Sequence, residues 1–490
     1  MNHKLFLFVS LIALFVLPLS ASGSALALPA AGEKPAVAAN ASPATSPWFT
    51  DWADKTTSAH LGYYPSIAYN PADGLPYISY YDSVNGNLML ASPASGGNCG
   101  SNNSWWCRVV DGDSSSSGKT NGDVGNYSSI AFWKGPFSWK LGISYHDAST
   151  HALKLAVLTQ TPFSGSWTFT TVDYTTTIFH TGNDVGTYTS LKFSSDGTPY
   201  IAYYSYIYSP FPISDYVGSL HLAKEVSSGG NCGVGADAGK WQCDIIDFLT
   251  GTGMGQYASL GLGYNDAPYM SYYDAAGANL RYAHSVNAGT GNCGTGNNYY
   301  CQYIDITGDV GRSSSLTAPR SSTDIPRIAY YDKTNGYLKY AFPTSSGANC
   351  GGGAWWCGKV DTIGAGITSP IGISMALDEN GSPIIAYENA AAELAPSILN
   401  IARPAGVFGL LNGNCGDVPP GSWLQYWQCN TVDNAAYGSG YVNLAAYTSV
   451  AVSPSGLATI AYLETDDYYT TDHLKIAYQR FPVFLPLIKR

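Results

Sequence analysis

Along most of this chain, apolar and polar residues alternate with a period of two in short runs separated by Gly, Asn, Asp or Pro, and the runs recur in a fixed order. The clearest run is PYISYYD from Pro76. It returns as LGISYHD from Leu141, PYIAYYS from Pro199, PYMSYYD from Pro268, PRIAYYD from Pro326, PIIAYEN from Pro383 and ATIAYLE from Ala458. In every copy the third residue is apolar, the fourth is Ser or Ala and the fifth is Tyr: Tyr80, Tyr145, Tyr203, Tyr272, Tyr330, Tyr387 and Tyr462. Alternation at period two predicts strands. A residue type held at one place in seven runs predicts one packing environment repeated seven times.

Three further runs accompany each copy. Ahead of it lies a strand a with a Ser followed by an apolar residue, as in YPSIA at Tyr64, YSSIA at Tyr127, YTSLK at Tyr188, YASLG at Tyr257, SSSLT at Ser313, GISMA at Gly372 and YTSVA at Tyr447. The Tyr run is strand b. After it comes strand c, read as Leu, a variable residue, an apolar residue and Ala, from LMLA at Leu88 to LKIA at Leu474. Strand d ends near Asp at Asp111, Asp173, Asp247, Asp305, Asp361 and Asp433, which is one strand short of seven. WFTDWAD, from Trp48 to Asp54, carries the missing pattern at the other end of the chain. A ring of four-stranded blades in which the first strand completes the last blade is how β-propellers close. The expectation is an all-β, seven-bladed propeller over residues 48–478, about 62 residues per blade, with Trp48 to Asp54 pairing the strand around Leu474 to Ala477.

Outside the repeats, MNHK followed by LFLFVSLIALFVLPL and the small residues Ala25-Leu26-Ala27 reads as a signal peptide over residues 1–27. The apolar run is short for a membrane span, which needs about 20 residues. Residues 28–47, rich in Ala, Pro and Ser, read as a disordered leader, and 479–490 as a hydrophobic tail. The chain has 38 Tyr and 54 Gly but only 12% charged residues, which fits a turn-rich β protein. A net charge of -11 with no basic run argues against a nucleic-acid partner. The ten cysteines form local pairs in one slot of the repeat: Cys99 with Cys107, Cys232 with Cys243, Cys293 with Cys301, Cys350 with Cys357, and Cys415 with Cys429. In an exported chain this predicts five local disulfides between the c to d turn and strand d. Zinc would require C-x-x-C spacing or nearby His. No metal or cofactor site is expected.

The repeats resemble those of secreted bacterial seven-bladed propellers of the lectin-like and sialidase-like group, over nearly the whole chain. The resemblance implies the fold. The sialidase hallmark S-x-D-x-G-x-T-W and the carboxylate-holding arginines are missing, since Arg281 and Arg327 fill ordinary repeat slots. The ending FPVFLPLIKR resembles the tails of some secreted proteins of filamentous green bacteria, which implies a sorting signal; the other reading is a tail packed on the last blade.

Function is sought on the face carrying the b to c turns and d to a connections. There strand b ends in Asp82, Asp147, Ser205, Asp274, Asp332, Asn389 and Glu464, and Asp123, Asp184 and Asp309 stand in D-V-G stretches. These form either an acidic rim for cations or sugar hydroxyls, or caps of their own turns. The seven equivalent Ser and Tyr read as core. Departures from the repeat point further. Blade three carries a long insertion with Tyr206, Tyr208, Phe211 and Tyr216; blade seven carries Asp466, Asp467, Tyr468, Tyr469 and Asp472; blade two puts His146 where Tyr usually stands. Aromatic rings beside carboxylates suit sugars. The leading expectation is an exported, non-catalytic propeller binding a glycan or cell-surface ligand through these residues. The alternatives are a glycoside hydrolase or polysaccharide lyase using Asp147, Glu464 and His146, and a protein-binding surface adhesin.

Overall fold

The structure is a computed structural model that describes residues 48–55, 60–113, 119–160, 165–175, 182–209, 215–250, 253–390, 396–405, 413–420, 426–434, 443–465 and 471–479. The leader, the tail beyond Gln479, Phe211 and the blade-seven residues Asp466, Asp467, Tyr468 and Tyr469 lie outside them. Among the described residues twenty-eight strands form seven four-stranded antiparallel sheets, each in the order a, b, c, d. The exception in chain order is the last blade. There strand β1, Trp48–Asp54, pairs antiparallel with β28, Asp472–Gln479, and matches Trp48 to Gln479 and Asp54 to Leu474. The ring closes as the strand count requires.

Two columns of side chains hold each blade to the one before it. Every strand b Tyr is buried and donates its hydroxyl to the Asp at the end of the preceding blade's strand d. The pairs are Tyr80 to Asp54, Tyr145 to Asp111, Tyr203 to Asp173, Tyr272 to Asp247, Tyr330 to Asp305, Tyr387 to Asp361 and Tyr462 to Asp433, at 2.5–2.7 Å. A phenol cannot enter a core unless its hydroxyl is satisfied, and a carboxylate accepts strongly. The Ser column does the same for the backbone of strand a. Each Ser Oγ accepts the N–H of the apolar residue following the Ser of the next blade, from Ser66 with Ile130 round to Ser449 with Ile67. Seven identical serines are therefore joints of the ring.

The variable slot of strand c is more regular than its letters suggest. Lys154, Arg281, Lys339 and Lys475 reach back to the same strand d carboxylates, Asp111, Asp247, Asp305 and Asp433, at 2.5–2.8 Å. Blades one, three and six place Met89, His221 and Asn400 there instead. Strands a and c of neighbouring blades also approach closely at the Val-Gly pairs. Gly125, at φ +112°, leaves no room for a side chain, because a Cβ would sit 2.7 Å from the Leu88 backbone.

All five disulfides form between the expected partners, with Cα separations of 5.8–6.0 Å. The residue ahead of the first Cys is Asn in all five. Each Asn side chain accepts the N–H of the second Cys at 2.7 Å and donates to its carbonyl at 2.8–2.9 Å. It thus imitates a strand partner where the turn has none. Five disulfides are those of a chain folded in an oxidising compartment. Among the described residues no helix is long and apolar enough to cross a membrane.

Candidate functional site at the channel mouth

Strand a lines the central channel, and its bulge aims a ring inward. Tyr64, Tyr127, Tyr188 and Tyr257 all have φ between 49° and 55°. That conformation is a strained one for a bulky side chain, and strain of this kind concentrates at functional sites. With Tyr447 they make an unbroken arc, with neighbouring ring centroids 4.5–4.8 Å apart. Burial raises the pKa of the Tyr64, Tyr127, Tyr188 and Tyr447 phenols, the last of them to about 12. The arc stops at blades five and six, where Ser313 and Gly372 occupy the slot. On that side a cavity of about 240 Å³ is lined by Ser313, Ser314, Pro370, Ile371 and Gly372 as well as the rings.

Around the mouth, strand b of one blade contacts the start of strand a in the next. Tyr81 donates to Asp123 at 2.7 Å and Tyr273 to Asp309 at 2.8 Å. Blade two has His146 in this position. Its Nε2 lies 2.6 Å from Asp184 Oδ1, and Nδ1 of His151, from the b to c turn, lies 3.2 Å from the same oxygen. Burial would raise the Asp184 pKa, but the His146 hydrogen bond and charge, followed by those of His151, bring it below the usual carboxylate value. Across the sheet Asp184 is in register with Tyr206. Tyr206 stacks on Tyr216 at 4.8 Å, Tyr208 meets Tyr216 edge-on at 5.5 Å, and Tyr204 links this cluster to Tyr188 of the arc. The structure therefore places the blade-three aromatics on the strand paired with the one that carries Asp184, where His146 and His151 meet.

A second cluster bridges blades seven and one. Asp472 Oδ2 accepts from His60 Nδ1 and from the Tyr63 hydroxyl, each at 2.6 Å. The Asp472 side chain is 3% exposed and that of His60 is 40% exposed. Tyr63 lies against Tyr447 of the arc, with centroids 5.9 Å apart. Burial first, then the bond to Asp472, raises the Tyr63 pKa above its ordinary value. His60 stands two residues before Gly62, in the slot that holds Asp in the D-V-G blades. That substitution was a readable signal.

The two carboxylates expected to serve as acids are occupied. Asp147 Oδ1 accepts the Thr150 N–H at 2.9 Å, as Asp82, Asp274 and Asp332 cap their own turns. Glu464 accepts from Trp52 Nε1 at 2.6 Å and from Lys475 Nζ at 2.9 Å. They belong to blades two and seven and do not share a cluster. Arg312, held by Asp309 at 3.1 Å, stands at the mouth beside Ser313.

No protein-family model matches this sequence, and no curated protein does. Solved structures similar in fold include the GH93 α-L-arabinofuranosidase of Fusarium graminearum in complex with arabinobiose, at 9% identity and TM-score 0.42, covering 89% of this chain and 98% of that one. The intramolecular trans-sialidase from Ruminococcus gnavus is 13% identical at TM-score 0.36, covering 88% and 96%. The polysaccharide lyase Uly1 is 11% identical at TM-score 0.43, covering 86% and 90%. All three are named as enzymes. The expectation of a non-catalytic binding propeller is corrected to this extent: the structures similar in fold are named as enzymes, not as binding modules. At these identities the likeness is one of fold, so the chemistry must come from this chain's own side chains: the protein is a seven-bladed β-propeller with sialidase-like and glycoside-hydrolase propellers among its structural neighbours.

Proposed function

We propose that this propeller is a polysaccharide lyase that cleaves an acidic polysaccharide at the mouth of its channel. The observation that carries the reading is the His60, Tyr63 and Asp472 cluster. A carboxylate accepting from Nδ1 fixes the imidazole tautomer and leaves Nε2 as a base. The Tyr63 phenol, held protonated, is an acid. In β-elimination Nε2 takes the proton from the sugar carbon next to the uronate carboxyl, the bond to the leaving oxygen breaks, a carbon–carbon double bond forms, and Tyr63 protonates the departing oxygen. Hydrolysis would instead call on two free carboxylates across a cleft, and the two expected for that role are engaged elsewhere. Support for the substrate class comes from the arc of rings, on which sugars stack, and from Arg312, a fixed cation suited to a further acidic unit. The 240 Å³ cavity is below the roughly 300–1,000 Å³ of drug-sized pockets, which suits one end residue with the chain lying across the face. Tyr206, Tyr208 and Tyr216 extend that surface.

The test is incubation with uronate-containing polysaccharides, following both ultraviolet absorbance of unsaturated ends and reducing ends. His60→Gln and Tyr63→Phe should each lower kcat by about 10²-fold or more while the fold is retained. Reducing ends without unsaturation would replace elimination with hydrolysis, and full activity in both variants would move the site elsewhere.

A further inference from the structure

The blade two and three cluster differs from the joint it replaces in directing two imidazoles at one carboxylate oxygen. In blades one and four strand b supplies one Tyr hydroxyl to the Asp of the next blade, and Asn126 or Arg312, three residues after that Asp, supplies the other donor. Blade two sets a second imidazole on that oxygen, and it does so at a conformational penalty. His151 has φ 54°, in the turn position where blades one and five place Gly86 and Gly336, at φ 67° and 70°. A non-Gly residue is strained in the left-handed region, and among the described residues Ala278 of blade four shares the exception at this turn position. His151 is 53% exposed, so packing does not repay that strain.

We propose that His146, His151 and Asp184 bind a divalent transition-metal ion of the zinc class between blades two and three. The ligand atoms, Nε2, Nδ1 and a carboxylate oxygen, all lie within 4.8 Å of one another. Around a tetrahedral ion with metal–ligand distances of about 2.0–2.1 Å, ligand atoms stand about 3.3 Å apart. The observed separations of 2.6 and 3.2 Å from the shared oxygen require only a small opening. Two imidazoles directed at one oxygen must both carry a proton on the facing nitrogen, one on Nε2 and the other on Nδ1; a metal ion replaces both protons. Two imidazoles and a carboxylate are a donor set suited to zinc, with a fourth position left for water or a sugar oxygen. His146 is buried, which anchors the site, and the exposure of His151 gives the ion an entry path. The residues of the elimination chemistry are elsewhere, so this inference stands or falls separately.

The experiment uses the whole protein, treated with a chelator and titrated with Zn²⁺ by calorimetry, with X-ray anomalous scattering at the zinc edge to locate the ion. One equivalent should bind at the cluster. The informative variants restore the repeat: His146→Tyr recreates the joint of blades one and four, and His151→Gly supplies the residue the turn prefers. Each should weaken zinc binding at least tenfold, and the double variant should abolish it. Metal-free His151→Gly should melt no lower than the parent, so a loss of binding there cannot be a loss of fold. Absence of saturable binding, an anomalous peak elsewhere, or undiminished binding by His151→Gly would overturn the proposal.

Discussion

At the scale of the residue, one slot shows how the same backbone position serves different electrostatic ends. Strand c of blades two, four, five and seven places a cation on the buried strand d Asp, whereas blade three places His221 there. His221 is buried, with Ser219 Oγ 2.8 Å from Nε2 and the Tyr203 hydroxyl 3.4 Å from Nδ1. Burial pushes its pKa down to about 4. Because the folded value lies below the unfolded value of about 6.5, the unfolded chain takes up the proton first. Stability is complete above that unfolded value and falls as the pH drops towards 4, by roughly 3 kcal/mol. Neighbouring Asp173, raised mainly by burial, acts in the opposite sense because the folded state then holds its proton more tightly. His221→Met, the blade-one solution, isolates the imidazole. Urea midpoints between pH 4 and 7 should fall more steeply for the parent than for the variant, and equal slopes would dismiss this account.

At the scale of the element, the disulfide turn is a two-part device. The covalent bond closes a short loop, and the Asn beside it satisfies the N–H and carbonyl of the second Cys. Removing the side chain in Asn349→Ala should lower stability by about 1–2 kcal/mol, and replacing Cys350 and Cys357 together by Ala should lower it by about 2–3 kcal/mol on the loop-entropy model. Calorimetry of the two variants under oxidising and reducing conditions separates the contributions. Asn349→Ala should remain harmful after reduction, since its hydrogen bonds do not need the disulfide. The cysteine pairing was legible because both members fall in one short turn. The Asn was legible too, as a constant letter before each first Cys, but its role depends on an unpaired backbone that only the folded turn reveals.

At the scale of the whole molecule, closure rests on the first described strand. Trp48–Asp54 supplies the outer strand of the last blade, the carboxylate that receives Tyr80, and the indole that donates to Glu464. Deleting residues through Asp54 should remove all three and open the ring. Denaturant unfolding should then lose its single cooperative transition or shift to a much lower midpoint, whereas an unchanged curve would show that closure is dispensable.

The order of residues carries the blade number, the strand order, the closing partner and the disulfides, because period-two alternation and a seven-fold repeat report the environment of each residue locally. It also separated the Ser and Tyr columns from chemistry, since packing selects the same residue in every blade. Tertiary structure alone decided which departures meet. His146 and His151 of blade two meet on Asp184 of blade three, and His60 reaches Asp472 only because the ring brings the last blade against the first. Glu464 and Asp147 were visible as carboxylates but not as engaged ones, for the Trp52 indole, the Lys475 ammonium and the Thr150 N–H that occupy them are set by strand pairing and turn geometry. Repetition makes a fold readable from its letters; a site is built from exceptions to that repetition, and distances between exceptions exist only once the ring has closed.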